Sequence, residues 1–415
     1  MKRRIAALVC LSASTGASAT YGLFEHGYGI KSMGAGGVGF AHAEDGSTLN
    51  ANPATAALLD HRLDAGLNWV TVLPGGRLLG NAAGPDDTFK SDGQRHFPIP
   101  QGAYVRPLTE RVTVGATMFA AGLGSDYKRN PYARFGGDPR GGLGLNQAGV
   151  SGVIAFRPHP DHALGFSLNL GYRELEIEGI QPFASLSENP GKFTNQGRDG
   201  GFGGSVTVGW VGDLGGGLSV GAAYRSRTWI ERLDDYAGVL PNQGQLDLPA
   251  IWGGGLAYRF TPDVTVSVDV QHVEYEQVAA FGNPLSRLDE GKPLGSDDGP
   301  GFGWDDQTIY KIGVVWKPRE RLTLRAGYSE STVIVQPSDT LFSLLAQVTG
   351  KRHVTVGFTQ ELRGGWEFSG YYAHMGRNEV AGENSIPAAL GGGEANVFIR
   401  SYSGGFSLGR RFGGP

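Results

Sequence analysis

The chain of 415 residues has one cysteine, Cys10, and no apolar run long enough to cross a bilayer as a helix. A helical span needs roughly 20 consecutive apolar residues, and "IAALVCL" at 5–11 falls far short. That run lies in a targeting segment: "MKRR" is the basic start, and "ASA" at 17–19 is a small-residue cleavage site. A lipid anchor on Cys10 is the rival reading, but Val9 stands where a small residue is needed. The exported chain, expected from residue 20, then has no cysteine, which excludes disulfides and thiolate metal sites. Basic charge is scarce as well. Loss of Lys2, Arg3 and Arg4 leaves 33 basic against 40 acidic residues, the opposite of a nucleic-acid surface. Glycine is abundant: 69 residues, roughly 17% where about 7% is usual.

From Arg62 onward, apolar and polar residues alternate with period two, the pattern of strands with two different faces. "RLDAGLNWV" puts Leu63, Ala65, Leu67 and Trp69 on one side, against Asp64, Gly66 and Asn68. "HALGFSLNLGYRE" sets Leu164, Phe166, Leu168, Leu170 and Tyr172 against Gly165, Ser167, Asn169, Gly171 and Arg173. "DVTVSVDVQ" and "RLTLRAGY" repeat the arrangement at 263–271 and 321–328. Further runs near 98–107, 111–121, 147–158, 201–212, 217–229, 247–260, 305–317, 351–362, 365–376 and 396–412 bring the strands to fourteen.

Every second connection is short, as in "RPLTER", "RPHPD", "RFTPD" and "ELRGG". The others run to twenty residues or more. Outer-membrane barrels have short periplasmic turns and long outer loops, whereas a soluble sandwich has no reason to alternate loop length. Aromatics near strand ends (Phe156, Tyr224, Tyr258, Phe260, Trp316 and Tyr328) fit interfacial girdles. The polar row suits an aqueous or plugged lumen. In a secreted soluble β-protein it would have to face solvent on nearly every strand. A last alternating strand reaches Phe412 close to the C-terminus. The expectation is an all-β, fourteen-stranded antiparallel transmembrane barrel.

Two catalytic patterns match by letter and fail by context. Gly405–Gly409 is G-x-S-x-G, but a nucleophile elbow needs a strand, a sharp turn and a helix, and this serine sits within an alternating run. "GAGGVG" at 34–39 has the dinucleotide spacing at Gly34, Gly36 and Gly39. Yet no apolar strand precedes it, and Gly46 and Pro53 interrupt the stretch where a helix would have to run. His159 and His162 share a short turn with Asp161, where polar loop residues are commoner than metal ligands. Asp297, Asp298, Asp305 and Asp306 are readable as a loose cation site or simply as solvated charge. No catalytic set, metal or cofactor is expected.

The segment "MGAGGVGFAHAEDGSTLNANPATAALL", succeeded by fourteen strands, resembles the FadL/TodX-type outer-membrane transporters of hydrophobic compounds. The shared features are the glycine-alanine run, the acidic pair and the tripeptide Asn52-Pro53-Ala54. Echoes recur in "GAAYRSRTW", "LPAIWGGGLAYRFTPDVTVSVDVQHVEYE", "LTLRAGYSES" and "EVAGENSIP". The resemblance implies a monomer embedded among outer-membrane lipid and lipopolysaccharide. It divides the chain into a signal peptide (1–19), an N-terminal hatch (20–61) and the barrel (62–415). It also implies passive uptake of hydrophobic compounds, long-chain fatty acids foremost, with monoaromatic hydrocarbons or general porin diffusion as alternatives. Ligand would land in a groove of the third and fourth outer loops, here holding Phe183, Leu186, Phe193, Tyr236, Val239 and Leu240. It would pass to a lumen site beside the hatch, where Arg173 and Arg325 suit a carboxylate or else join a charge network with Asp64 and Asp269. Release would need movement of the hatch, whose glycines move at low steric cost, and an inward kink of the third strand near Phe119 and Gly122.

Overall fold

The computed structural model describes residues 21–413; the expected signal peptide lies outside them. The alternating runs become fourteen barrel strands: β1 Arg62–Val72, β2 His96–Pro107, β3 Val112–Tyr127, β4 Gly141–His159, β5 His162–Glu178, β6 Asp199–Asp213, β7 Leu218–Arg225, β8 Ile251–Thr261, β9 Val264–Val273, β10 Gln307–Arg319, β11 Leu322–Ser331, β12 Arg352–Glu361, β13 Trp366–Val380 and β14 Glu394–Arg411. Each pairs antiparallel with its neighbours in sequence. β1 closes on β14 from Arg62↔Arg411 to Val72↔Ser401. Closure leaves no edge, which a sheet needs where no water can satisfy its backbone.

The two faces follow the alternation. Leu164, Phe166, Leu168 and Leu170 point outward and are about half exposed, as lipid-facing residues are, while Ser167 and Asn169 are buried inside. The outward rows on β9 and β11 behave likewise, with Asp269 and Arg325 turned into the lumen. Phe156, Tyr258, Phe260 and Trp316 lie outward at the short-turn end, and Tyr224 and Tyr328 towards the long loops.

Two strands outrun their expected lengths. β3 continues to Tyr127 and β4 starts at Gly141, and the extensions pair with each other from Gly122↔Asn146 to Tyr127↔Gly141. Here the chemistry of the faces reverses. On β5 the inward row runs Arg173, Leu175, Ile177, and the outward row becomes Glu174, Glu176, Glu178. On β4, Leu143 and Leu145 point in. Beyond the membrane the outside meets water, so polar residues turn out and apolar ones turn in. β7 is shorter than its run. It stops at Arg225, and Trp229–Ile230 pairs with Gly203–Gly204 of β6 instead.

Candidate functional site: plugged lumen and apolar outer chamber

Residues 21–57 lie inside the barrel, bonded to strands around its circumference, and 58–61 lead out of it into β1. One helical turn, Ile30–Gly34, leads into the glycine run. Gly36 has φ +74°, and a Cβ there would stand 2.6 Å from the Ile312 carbonyl of β10, so only glycine lets the backbone lie against the wall. Its N–H donates to Thr355 Oγ1 at 2.9 Å. Gly34 packs on Gly357 of β12, and the Gly39 N–H donates to Asp269 at 2.7 Å. The tripeptide is a cap: Asn52 Oδ1 accepts from the Ala54 N–H at 3.0 Å and opens the 3₁₀ turn Pro53–Leu58. Asn52 Nδ2 also donates to the Trp210 carbonyl of β6 at 3.0 Å. A Cβ at Gly165 of β5 would fall 2.1 Å from the Ala54 nitrogen, so bare backbone there admits the turn.

Ion pairs fasten the same segment. Lys31 meets Glu367 at 2.6 Å, and Arg62 meets both Asp64 and Glu367. Arg325 grips Glu44 with two bonds of 2.6 and 2.7 Å and gives a third to Thr359. Burial raises the Glu44 pKa, but the Arg325 charge outweighs it and holds the carboxyl at about 2. Arg325 is therefore committed to the acidic pair of the plug. Of its two expected network partners, Asp64 is held by Arg62, and Asp269 accepts from the Gly39 and Phe40 amides.

Above the lumen, loops and strand extensions enclose one large apolar cluster. It absorbs most of the expected groove. Phe183, Phe193 and Tyr236 are buried in it, Leu240 lies at its inner surface, Val239 is half-buried, and Leu186 stands out at the surface. These six do not form an open patch, because loop residues outside the third and fourth loops close over them. Phe281, Leu294 and Phe302 of the fifth outer loop and Phe342 and Leu345 of the sixth join Leu123, Leu145 and Leu175 around a cavity of about 40 Å³. Val239 and Leu240 line it too, and its lining carries no charged or hydroxyl side chain. An apolar cavity that takes benzene has about 150 Å³, so this one is too small to hold such a ligand as it stands.

Arg173 sits where the inward row turns apolar, two residues before Leu175, and is 1% exposed. Its guanidinium donates to the carbonyl of Leu246, a cavity residue, and to Gln147 Oε1 at 3.0 Å. Asp247 beside it is paired with Arg227 at 2.9 Å. Among the described residues Arg173 has no ion pair, and its Nε lacks a hydrogen-bond partner.

The wall itself opens between β2 and β3. They pair only from Pro107↔Thr113 to Ala103↔Thr117, while β3 keeps β4 along sixteen residues. Above Thr117, Asn50 of the plug donates to the Met118 carbonyl at 2.9 Å. The Gly122 N–H donates to the Leu23 carbonyl at 3.2 Å, so β3 is bonded there to the N-terminal segment instead of to β2. The first outer loop rejoins β3 higher up, where Gly93 donates to the Asp126 carbonyl at 2.9 Å. The result is a window in the hydrogen-bond ladder, across which Ala120 packs against the cluster holding Phe97 and Ile99. Phe119 lies half-buried beside Phe24 of the N-terminal segment in a small lumen cavity.

The other candidates have ordinary roles. Ser407 lies inside β14, paired with Gly66 and Ser369, with no elbow. His159 contacts Asp161 at 3.4 Å, His162 stacks on Trp210, and Asp298 is held by Arg287 and Lys292. Among the described residues no three His, Cys, Asp or Glu side chains gather as a metal site.

A closed barrel of fourteen strands, plugged from its N-terminus and roofed by an apolar chamber, defines a class: outer-membrane transporters of hydrophobic compounds. The chain belongs to the family described as outer membrane protein transport protein (OMPP1/FadL/TodX), which matches residues 9–340. A search of the curated proteins finds no match. Among solved structures, the fold is similar to the Pseudomonas putida toluene transporter TodX, with 18% identity, TM-score 0.69, and 95% of this chain and 100% of that one covered. A Pseudomonas aeruginosa FadL homologue gives 15% identity and TM-score 0.70 over 94% and 100%. The Ralstonia pickettii toluene transporter TbuX gives 16% and 0.65 over 93% and 99%. The protein is an outer-membrane β-barrel, and its family is one of transporters.

Proposed function

We propose that this barrel takes up hydrophobic carboxylates passively, long-chain fatty acids foremost. The observation that carries the reading is Arg173: a buried guanidinium in no direct ion pair among the described residues, its neighbour Asp247 being engaged by Arg227, set against an apolar chamber. A buried charge that is incompletely paired is costly, and a fatty acid supplies both a directly bonded carboxylate and the apolar tail. Entry is by parting of the outer loops, at roughly 25 cal/mol per Å² of tail surface buried. The carboxylate then rests on Arg173 while the tail fills the widened chamber. Release comes when the N-terminal segment withdraws from β3 and clears the window between β2 and β3. The plug makes a permanently open diffusion pore the poorer account.

Monoaromatic hydrocarbons form the second reading, favoured by the rings of Phe281, Phe302 and Phe342 and a lining without polar side chains. Arg173→Met separates the two. For a fatty-acid carrier, labelled oleate uptake falls about tenfold, since a charged hydrogen bond is worth roughly 1.5–3 kcal/mol, while toluene uptake holds. If cells with and without the protein take up oleate equally and toluene enters only through it, the fatty-acid reading fails.

A further inference from the structure

The outer rim of the barrel is not uniform in charge. On β5 the outward residues above the lipid-facing row are Glu174, Glu176 and Glu178. Across the barrel, β12–β14 present arginines at the corresponding level. Arg352 opens β12 and points outward, directly above Val354 and Val356. Ser401 pairs with Met375 and Ile399 with Asn378, so the bulge at Gly376–Arg377 lies opposite Arg400. Met375 in turn pairs with His353, the residue after Arg352. Arg352, Arg377 and Arg400 thus stand side by side on three adjacent strands, each strand about 4.8 Å from the next.

The local carboxylates do not neutralise them. Glu330 is shared by Arg352, at 3.0 Å, and Lys351, at 3.9 Å. Glu379 is shared by Arg377, at 2.9 Å, and Arg77, at 3.2 Å. Arg400 has no ion pair among the described residues and lies over the Tyr402 ring at 5.2 Å. Five cations therefore face two carboxylates. Beneath them the surface is apolar, with Val354, Tyr372 and Phe406 outward. A groove of about 480 Å³ runs down the wall among Val268, Tyr310, Ile312 and Tyr328, with Lys351 at its lip.

We propose that this wall is a seat for lipopolysaccharide, the phosphorylated, multiply acylated lipid of the outer leaflet. The arginines take its phosphates, because guanidinium meets phosphate in paired hydrogen bonds. The groove and the apolar rows below take acyl chains. Excess positive charge at headgroup level, directly above exposed hydrocarbon-facing residues, matches a phosphate carried on a bundle of tails. On β5, Glu174 and Glu176 share one cation, Arg198, at 3.9 and 3.2 Å, so negative charge stays in excess there and the lipid sits on the arginine side of the barrel.

The test uses the full barrel purified in detergent and titrated with bisphosphorylated lipid A, its monophosphorylated form, or phosphatidylglycerol, with binding read by native mass spectrometry. Folding is checked by the gel mobility of the intact barrel. Each arginine lost is expected to weaken lipid A binding about fivefold and the triple variant Arg352→Ser/Arg377→Ser/Arg400→Ser about a hundredfold. The monophosphorylated form binds more weakly than the bisphosphorylated one, and Glu174→Gln/Glu176→Gln leaves affinity unchanged. Arg400→Ser breaks no ion pair and serves as the folded variant if the triple does not assemble. Wild-type affinity in whichever of these variants folds overturns the proposal. So does phosphatidylglycerol binding as tightly as lipid A.

Discussion

Leu23 and Gly122 join the N-terminal segment to β3 through one hydrogen bond: the strand amide donates to the plug carbonyl at 3.2 Å. The amide of the same Leu23 donates to the Tyr275 hydroxyl at 2.9 Å. The Tyr275 ring packs edge-on against Phe281, which lines the outer chamber. A single residue of the N-terminal segment therefore touches both the roof where ligand would enter and the strand that bounds the window. In the proposed transport cycle, swelling of the chamber displaces Phe281 and Tyr275, and with them the N-terminal segment bonded to Tyr275.

The first prediction locks that contact. Backbone atoms of Leu23 and Gly122 lie within hydrogen-bond distance, and a disulfide bridges Cα atoms about 4.4–6.8 Å apart. The chain's one native cysteine is Cys10, so Leu23→Cys with Gly122→Cys gives a clean crosslink. Oxidised, this variant is expected to lose most oleate uptake and to regain it on reduction. Unchanged uptake in the crosslinked protein means that the segment need not leave β3.

A second prediction concerns Glu44. Its carboxylate takes two of the three hydrogen bonds that hold Arg325. Glu44→Gln leaves a buried guanidinium short of its counter-charge, at a cost to plug docking of about 3 kcal/mol. Ion leak through the reconstituted barrel rises. Adding Arg325→Gln removes the stranded charge and recovers part of the loss, the non-additivity expected of direct partners. Equal leak in wild type and Glu44→Gln shows that this pair does not fasten the plug.

Legibility in the sequence differs from one part of the molecule to the next. The barrel is readable from rows such as Leu322, Leu324, Ala326 and Tyr328, because lipid outside and a polar lumen inside impose opposite chemistry on successive residues. The chamber is far less readable, although a mark of it is present. In "LGYRELEIE" the apolar residues change phase after Tyr172, from Leu168 and Leu170 to Leu175 and Ile177, where the strand leaves the membrane. "GLGLNQAGVSGVIAF" makes the same change. Arg325 is recognisable as an inward cation, but its partner Glu44 lies 281 residues away, and no local pattern carries such a pairing. Loop residues such as Phe281 and Phe342 give no periodic signal, since their burial depends on how loops fold over one another.

A third prediction is a pH dependence. Glu25 lies half-buried in the N-terminal segment beside Asn68, which donates to it. Burial outweighs that hydrogen bond and raises its pKa to about 8. A carboxyl raised in the docked state stabilises docking fully below its ordinary value near 4.5. The contribution shrinks as pH rises and is gone above about 8. The neighbouring His26 is lowered to about 4 by burial and stays neutral throughout the alkaline limb. Leak is thus expected to rise from pH 6 to pH 9 in the wild type and to stay flat in Glu25→Gln. A slope that survives in Glu25→Gln assigns the titration elsewhere.

The last prediction removes the plug. Deleting residues 20–53 takes away the glycine run, Lys31 and Glu44, but touches no strand pairing, since β1 closes on β14 through residues 62–72 and 401–411 alone. The wall left behind presents Asp64, Asp269, Lys311, Arg325 and Glu367, a polar surface that water solvates readily once it fills the lumen. Assembly of the barrel, read by heat-dependent gel mobility, is therefore retained. Small-ion leak rises, because the emptied lumen meets the gap between β2 and β3 and a roof that has lost Tyr21, Leu23 and Phe24. Oleate uptake changes as well, since neither Leu23 nor Asn50 remains to hold β3 inward. A truncated barrel that matches the full chain in both leak and uptake would remove the gating role from the N-terminal segment and leave the window between β2 and β3 as a permanent feature of the wall.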